Sequence, residues 1–423
     1  MAGLMGYREL HRTVKLRLGV GFCQRFLDIM LVPLMVIHFS GLYGAALAGL
    51  MTLGTAVVAI GGTLAGGHLA DVHGRRPVLL LGELGGVLCF AGLALVNSPL
   101  GGGSGVLTYL LYLGASGCAA IALPAGEAMI VDVSTPENRT TVYTLKYWSI
   151  NVAFMFGSLT GGFLYTGFFF QLLLAGALVY LGIFLVTLLA IRESAPGGTA
   201  GGLAAMLAGY VSVVRDRIFL RLVVAALLVR AIEVQISTYI AVRLSADFTP
   251  QRLLDIGPWH LTVDGVNTLG ILRAVNTFLV VCLGLFAGRL FGRLSEQRRL
   301  TAGIAVFTAG YAVWAVSGDV WVLIGAAVVV TVGELMNAPV KQTLLANLVP
   351  ASDRTKYMAA YGLAIRLGLV IGSACVSLGS VVPPSGMAGL YVVFGATAIW
   401  LYRSLFRNLG DRTPLLEGAR SGD

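Results

Sequence analysis

Ionisable side chains lie inside several long apolar runs of this 423-residue chain, and they are the residues best placed to do chemistry. Such a group costs at least about 2.5 to 3.5 kcal/mol at the centre of a membrane helix, so it normally faces a cavity or a partner. Carboxylates in that setting bind protons or cations, whereas guanidinium and ammonium groups bind carboxylates or phosphates. We therefore expect function to lie with Arg25, Asp28, Glu83, Glu127, Lys146, Arg230, Glu233, Arg273, Glu334, Lys341 and Arg366.

Two pairs in this set have helical i,i+3 spacing, namely Arg25 with Asp28 and Arg230 with Glu233. Residues three apart meet on one face of a helix, so each pair can lower its own cost of insertion. Two interpretations remain open. The pairs are purely structural, or their carboxylates take part in proton coupling and their arginines line a cavity.

Glu334 differs, because its own helix face offers no basic residue within one turn. A lone carboxylate there needs a distant partner or a proton, and burial favours the neutral acid. Such a group suits loading and release of protons; the alternative is a permanently protonated carboxyl that is hydrogen-bonded among the helices. Glu127, one turn past Pro124, is a second candidate for the same task.

A further polar set begins another apolar run at Lys146, Tyr147 and Asn151. Lys146 either contributes positive charge to a cavity for carboxylate or phosphate groups, or extends to the membrane surface. Two substrate classes therefore remain open: amphiphilic, often cationic compounds, and an organic anion, zwitterion or lipid-like metabolite. The candidate cavity residues are Arg25, Lys146, Tyr147, Asn151, Arg230, Arg273, Asn337 and Arg366.

The elements that must position these residues are membrane helices. Hydrophobic residues make up 57% of the chain and charged residues 12%, which excludes an ordinary soluble protein. Mean hydropathy is +0.86. Segments long enough for about 20 helical residues across the bilayer are predicted at 17–38, 43–65, 77–97, 105–129, 143–167, 170–191, 219–243, 268–287, 300–317, 320–345, 357–380 and 388–406.

Lys and Arg are retained on the cytoplasmic side of membrane proteins. In this chain, loops that are rich in Lys and Arg alternate with loops that carry few of them. Arg17 belongs to the basic set that we assign to the cytoplasm, whereas only Arg243 and Arg252 fall on the other side. Both termini are therefore predicted to be cytoplasmic. The first apolar run contains Arg25 and Asp28 and no cleavage site, so we expect it to remain as a membrane helix. The net charge of +9 is spread over many loops, which argues for membrane topology and against nucleic-acid binding.

A polar segment is duplicated. The first copy is GHLADVHGRRP at 67–77, and the second, which matches it only in part, is GRLFGRLSEQ at 288–297. The Gly/Ala-rich stretch near residue 200 separates the two copies. We predict an N-terminal six-helix half at 1–193, a cytoplasmic linker at 194–218, a C-terminal half at 219–407 and a cytoplasmic tail at 408–423.

The 67–77 segment resembles the G-x-L-x-D-x-x-G-R-R loop of the major facilitator superfamily. That resemblance implies an all-α membrane protein of twelve helices in two pseudo-symmetric halves that move about a central site. Within the superfamily the chain is similar to LmrP-type multidrug/proton antiporters. The matching motifs are Leu16-Arg-Leu-Gly, the loop at Asp71, Ala128 to Asp132, Glu137 to Arg139, Tyr147-Trp148 with Asn151, Leu272-Arg273, and Gly333-Glu334 with Pro339.

The resemblance implies that Asp71 and Asp132 act as conformational and protonation switches, and that Glu334 touches both substrate and proton. Lys146 departs from the pattern, because that group has an acidic residue there. The predicted proton-coupling set is Asp28, Asp71, Glu127, Asp132, Glu233 and Glu334. The predicted cytoplasmic gating loop comprises Gly67, Asp71, Gly74, Arg75, Arg76 and Arg139.

We therefore expect a secondary transporter, with proton-coupled efflux of amphiphilic small molecules by alternating access. No phosphate loop, metalloprotease motif or nucleophile elbow is present in the sequence, so we expect neither an enzyme nor a cofactor. The proton gradient would supply the energy. The predicted partners are substrate, protons and lipid, with function as a monomer in the plasma membrane.

Overall fold

The computed structural model describes residues 10–135, 138–195, 197, 216–256, 259–284, 286–349 and 354–410. Most of the predicted linker and the tail from residue 411 lie outside these described residues. The described parts of 1–202 and 265–274 form one compact unit, unit 1, and those of 203–264 and 275–423 form unit 2. The predicted boundaries of the linker therefore remain a prediction.

Unit 1 is built from long helices. They are α1 (Arg12–His73), α2 (Arg75–Val96), α3 (Gly105–Asp132) and α4 (Arg139–Ala190), together with residues 265–274 of α7 (Gly265–Gly284).

Two of these helices are too long for one span, and each bends in its middle. A straight α1 of 62 residues would extend roughly 90 Å, about three times the thickness of the bilayer hydrocarbon. Gly44 interrupts it at φ +80°, a conformation that glycine adopts readily. Phe168 interrupts α4 with a different non-helical conformation, at φ −133° and ψ 30°. Both interruptions fall where the sequence predicted a boundary between spans.

Unit 2 contains the remaining elements. They are α5 (Arg217–Glu233), a 3₁₀ turn (Val234–Ser237), α6 (Tyr239–Asp247), β1 (Gln251–Ile256), β2 (Trp259–Val263), the second half of α7, α8 (Ala287–Phe291), α9 (Glu296–Val316), α10 (Val320–Leu348), α11 (Arg354–Leu378) and α12 (Pro384–Gly410).

These elements supply the predicted number of spans. Within the described ranges, nine helices are long and apolar enough to cross a membrane. Counting α1 and α4 twice, and the interrupted α5–α6 segment once, gives the twelve expected spans.

Two local predictions were wrong. The span predicted at 219–243 is not one continuous helix, because a 3₁₀ turn at Val234–Ser237 tightens the backbone directly after Glu233. The segment at 245–268, which joins two predicted spans and for which we expected no regular secondary structure, contains an antiparallel hairpin of β1 and β2. Its second strand contains Trp259, Thr262 and Val263, residue types that favour extended backbone.

Helices α1 and α3 pack closely in unit 1 because glycines remove side chains from their interface. A Cβ on Gly66 would lie 2.1 Å from the carbonyl oxygen of Ile121. At the other end of α1, a Cβ on Gly126 of α3 would lie 2.2 Å from the guanidinium of Arg17. The absence of these side chains therefore permits the close approach.

Arg17, which we assigned to the cytoplasmic side, has a buried setting that the sequence did not predict. It lies within α1, only 4% exposed, and pairs with Glu83 of α2 at 3.3 Å. A buried arginine needs a carboxylate partner, and Gly126 leaves room for it.

Candidate functional site

The predicted gating loop is compact, since Gly74 alone separates α1 from α2. Arg75 donates to Asp71 at 2.9 Å and to the carbonyl of Ala70 at 2.8 Å. The same guanidinium lies 3.6 Å from the carboxylate of Asp132 at the end of α3. One arginine thus joins the ends of α1 and α3 through two carboxylates.

Glu193, just after α4, is a residue of this loop that the sequence prediction missed. Its carboxylate accepts backbone N–H bonds from Arg75 at 3.1 Å and from Arg76 at 2.9 Å. These amides open α2, where the first turn of a helix has unpaired donors and favours negative charge. The contact spans 118 residues of chain, so no local pattern signals it.

We call the group formed by Asp71, Arg75, Arg76, Asp132 and Glu193 the clasp, and two neighbouring contacts stabilise it. Ser194 donates to Asp132 at 2.9 Å, and Arg76 donates to the carbonyl of Leu188 at 2.8 Å. Gly74 has φ +94°, and a Cβ there would lie 2.8 Å from the Glu193 carboxylate. Glycine is therefore needed at this position for both backbone and space.

Two members of the predicted loop set lie apart from the clasp. Gly67 lies within α1, and a Cβ there would meet open space. Arg139 begins α4 with an exposed side chain, and among the described residues no ion pair joins it to Asp132. The structure thus brings together Asp71, Asp132, Arg75 and Arg76 without Arg139.

Several intramembrane charges of unit 1 form ion pairs. Lys146 of α4 forms an ion pair with Glu127 of α3 and lies 5.9 Å from the ring centre of Tyr143. Its ammonium is thereby neutralised, so neither of the two predicted roles, reaching the membrane surface or supplying a lone positive charge, describes this geometry. Arg25 and Asp28 form the expected i,i+3 pair at 3.8 Å, and both side chains are close to half exposed.

The other predicted cavity residues of unit 1 occupy varied settings. Tyr147 is exposed, and Asn151 donates to its carbonyl at 2.8 Å. The guanidinium of Arg273, in α7, lies 5.9 Å from the ring centre of Phe154, within cation–π range.

The charged residues of unit 2 converge on the region where α5 ends. Arg230 and Glu233 form the expected i,i+3 pair at 2.6 Å. Tyr311 of α9 donates to the Glu233 carbonyl at 3.0 Å, which fixes the helix end before the 3₁₀ turn. Arg366 is half-buried in α11.

Glu334 of α10 has an amide partner. Asn276 of α7 donates to its carboxylate at 3.1 Å and to the hydroxyl of Thr331 at 3.0 Å. No ion pair within 4 Å joins Glu334 to a residue that the structure describes. Glu233, Lys341 and Arg230 are nevertheless near enough to act on it electrostatically.

A cavity of about 730 Å³ opens in unit 2, and its wall includes the three charged residues that act electrostatically on Glu334, whereas Glu334 itself is not part of that wall. Lys341, one of the membrane charges identified in the sequence but absent from the predicted cavity residues, lines it. Asn337 does not line it, because its side chain is 1% exposed and donates within its own helix to Gly333 at 2.7 Å. The lining includes Arg230, Glu233, Lys341, Gln342, Leu345, Met358, Tyr361 and Ile365.

Comparison with known proteins identifies a family model and several transporter relatives that match this chain. The sequence model of the Major Facilitator Superfamily matches residues 18–373 and 256–420. A Na(+), Li(+), K(+)/H(+) antiporter of Planococcus maritimus is 28% identical over 424 residues, covering 97% of this chain and 99% of the relative. Multidrug resistance protein MdtH of Sodalis glossinidius is 25% identical over 321 residues, covering 73% of this chain and 70% of the relative.

Solved structures give the same fold. A POT family transporter in complex with 5-aminolevulinic acid has a TM-score of 0.72 at 14% identity, covering 95% of this chain and 97% of its own. Peptide transporter POT in complex with sulfate has a TM-score of 0.72 at 17% identity, covering 95% and 94%. At these identities the likeness concerns the fold alone. The specific resemblance to LmrP-type antiporters stays a prediction.

Proposed function

The chain belongs to the major facilitator superfamily, and we propose that it is a proton-coupled antiporter that exports amphiphilic small molecules across the plasma membrane as a monomer. Membership of the superfamily makes it a multi-pass membrane transporter and not an enzyme. The observation that carries the proposal is Glu334, a carboxylate within membrane helix α10 whose described hydrogen-bond partner is the amide of Asn276.

This setting suits a carboxylate that changes its protonation state during transport. A carboxylate in a salt bridge must lose its partner when it takes up a proton, whereas an amide donor can remain bound to one oxygen while the other is protonated. Glu334 can therefore exchange a proton, or bind a cationic group of a substrate, without rearranging an ion pair. Intramembrane carboxylates of this kind mark proton pathways in transporters.

The cavity of unit 2 supports an organic substrate. Its volume of about 730 Å³ lies in the range of sites for drug-sized ligands, roughly 300 to 1,000 Å³. Met358, Tyr361 and Ile365 supply apolar and aromatic wall, and methionine adapts to ligands of different shape.

Exchange would follow from exclusive occupancy of Glu334. A proton and a cationic substrate compete for one carboxylate, so binding of either lowers the affinity for the other. Each ligand then shifts the alternating-access equilibrium only by its differential affinity for the two states. The Asp71–Arg75–Asp132 clasp in unit 1 is our candidate for the element that holds one of those states.

Exchange of alkali cations for protons is the second candidate. It is favoured by the similarity to a Na(+), Li(+), K(+)/H(+) antiporter over 97% of this chain. Glu334 and Thr331 place a carboxylate oxygen and a hydroxyl oxygen around the same side-chain amide, that of Asn276, which donates to both. Oxygen atoms are the ligands that hard cations prefer.

Proteoliposomes with an acidic lumen and an internal pH dye would test the proposal. We expect external ethidium to raise the luminal pH in wild type and not in Glu334→Gln, because each entering cation displaces a proton. Glu296→Gln is the matched control, since Glu296 is an exposed residue at the start of α9. It should behave as wild type.

The alternatives give different results in the same vesicles. A pH change with Na⁺, K⁺ or Li⁺ but not with ethidium would favour alkali-cation exchange. Absence of a response to ethidium and alkali cations alike would contradict both candidates and turn attention to anionic, zwitterionic or lipid-like substrates.

A further inference from the structure

Lys341 presents to the cavity of unit 2 an ammonium group that has no direct ion-pair partner among the described residues. Neither a hydrogen bond nor an ion pair within 4 Å joins it to a described residue, although Glu233, Glu334 and Arg230 act on it through longer-range electrostatics. The other cavity cation, Arg230, is held by Glu233 at 2.6 Å. Lys341 is therefore the cation of this wall whose charge is left for a ligand.

The charge balance of the cluster depends on Glu334. Arg230 and Lys341 contribute two positive charges, and Glu233 and Glu334 contribute two negative charges when both are ionised. A proton on Glu334 leaves the cluster with one surplus positive charge, located at the unpaired ammonium. A ligand group with one negative charge makes the cluster neutral, whereas a group with two negative charges would leave it with a net negative charge.

The geometry separates the anion position from Glu334. Lys341 follows Glu334 by seven positions in α10, which corresponds to about 10 Å along the helix axis and nearly two full turns. Both side chains therefore lie on similar faces at different depths. Gln342 and Tyr361 line the same cavity and add an amide and a hydroxyl as further donors.

We propose that Lys341 forms a carboxylate-binding subsite, so that the preferred cargo is an amphiphile that carries a carboxylate in addition to any cationic group. This inference rests on the proposed function, because it names the cargo of the same cavity. An ammonium binds a carboxylate through short charge-assisted hydrogen bonds, which are the stronger kind. The aliphatic and aromatic wall holds the rest of the molecule.

Two dyes with the same ring system test the subsite. Rhodamine 110 carries a free carboxylate, and rhodamine 123 is its methyl ester. We expect purified wild-type protein to bind rhodamine 110 about tenfold more tightly by fluorescence anisotropy, and Lys341→Met to lose that preference. Lys341→Arg should restore it, and Arg403→Met, which removes an exposed cation of α12, should leave it unchanged.

The outcomes separate this inference from the proposed function. Equal affinities for the two dyes in wild type, an unchanged preference in Lys341→Met, or failure of either dye to bind would overturn the subsite. Retained rhodamine 123 binding in Lys341→Met shows that the variant is folded. Equilibrium binding needs no gradient, so a clear carboxylate preference without proton movement in vesicles would refute antiport alone.

Discussion

The same side chain acquires different chemistry in the two units because its neighbours differ. Lys146 is paired with Glu127 in unit 1, whereas Lys341 in unit 2 has no described ion-pair partner and faces a cavity. An ammonium in an ion pair is held in place, and the pair has almost no net charge with which to attract a ligand. An unpaired one attracts anions.

Glu193 offers a residue-scale prediction. Glu193→Ala removes the acceptor for the Arg75 and Arg76 amides, and loss of a helix N-terminal cap costs about 0.5 to 2 kcal/mol. We expect hydrogen exchange at these two amides to accelerate from a few-fold to roughly thirtyfold. Glu193→Gln, which keeps one acceptor oxygen, should fall between wild type and Glu193→Ala. Unchanged exchange in the alanine variant would refute the capping role.

At this scale the sequence predicted local pairs and missed distant ones. The Arg25–Asp28 and Arg230–Glu233 pairs could be predicted because helical geometry alone brings i and i+3 together. Glu193, the Lys146–Glu127 pair and the burial of Arg17 depend on which helices become neighbours. A single sequence carries no direct signal of that arrangement.

The helices were predictable as spans, but their irregularities were less so. Hydropathy located the spans, and the kinks at Gly44 and Phe168 fall at predicted boundaries. The 3₁₀ turn at Val234–Ser237 lies inside an apolar run that was predicted as one span, and hydropathy does not distinguish an α-helix from a 3₁₀ helix. The hairpin after it was hidden by its polar composition.

Helix packing gives an element-scale prediction. Gly66→Ala would force a Cβ against the backbone carbonyl of Ile121, at 2.1 Å without relaxation. Overpacking of this kind costs typically about 1 to 3 kcal/mol, so the melting temperature in detergent should fall. Gly61→Ala on the same helix is the matched control, because its Cβ would meet open space. If both variants melt as wild type, α1 and α3 do not pack through Gly66.

At the scale of the whole molecule, duplication explains why related features recur. Each unit carries an i,i+3 ion pair near the start of its helical series, and a proline lies within both α3 and α10. The units then diverge. The first has the clasp at Asp71, and the second has Glu334 within electrostatic reach of the charged residues that line a cavity.

The superfamily and the number of spans followed from hydropathy and from one loop motif, because both are strong, short-range signals. The substrate did not. Its recognition depends on which charges remain unpaired, and only tertiary structure reveals that. The predicted orientation and linker boundaries remain predictions.

Proton release on substrate binding tests the central claim most directly, since exclusive occupancy of Glu334 requires a bound cation to expel a proton. Ethidium would be added to weakly buffered, detergent-solubilised protein containing a pH indicator, over a series of starting pH values. We predict that wild type releases protons in proportion to ethidium bound and that Glu334→Gln binds the dye without release. Binding by wild type with no proton release at any pH, or undiminished release by Glu334→Gln, would contradict the account.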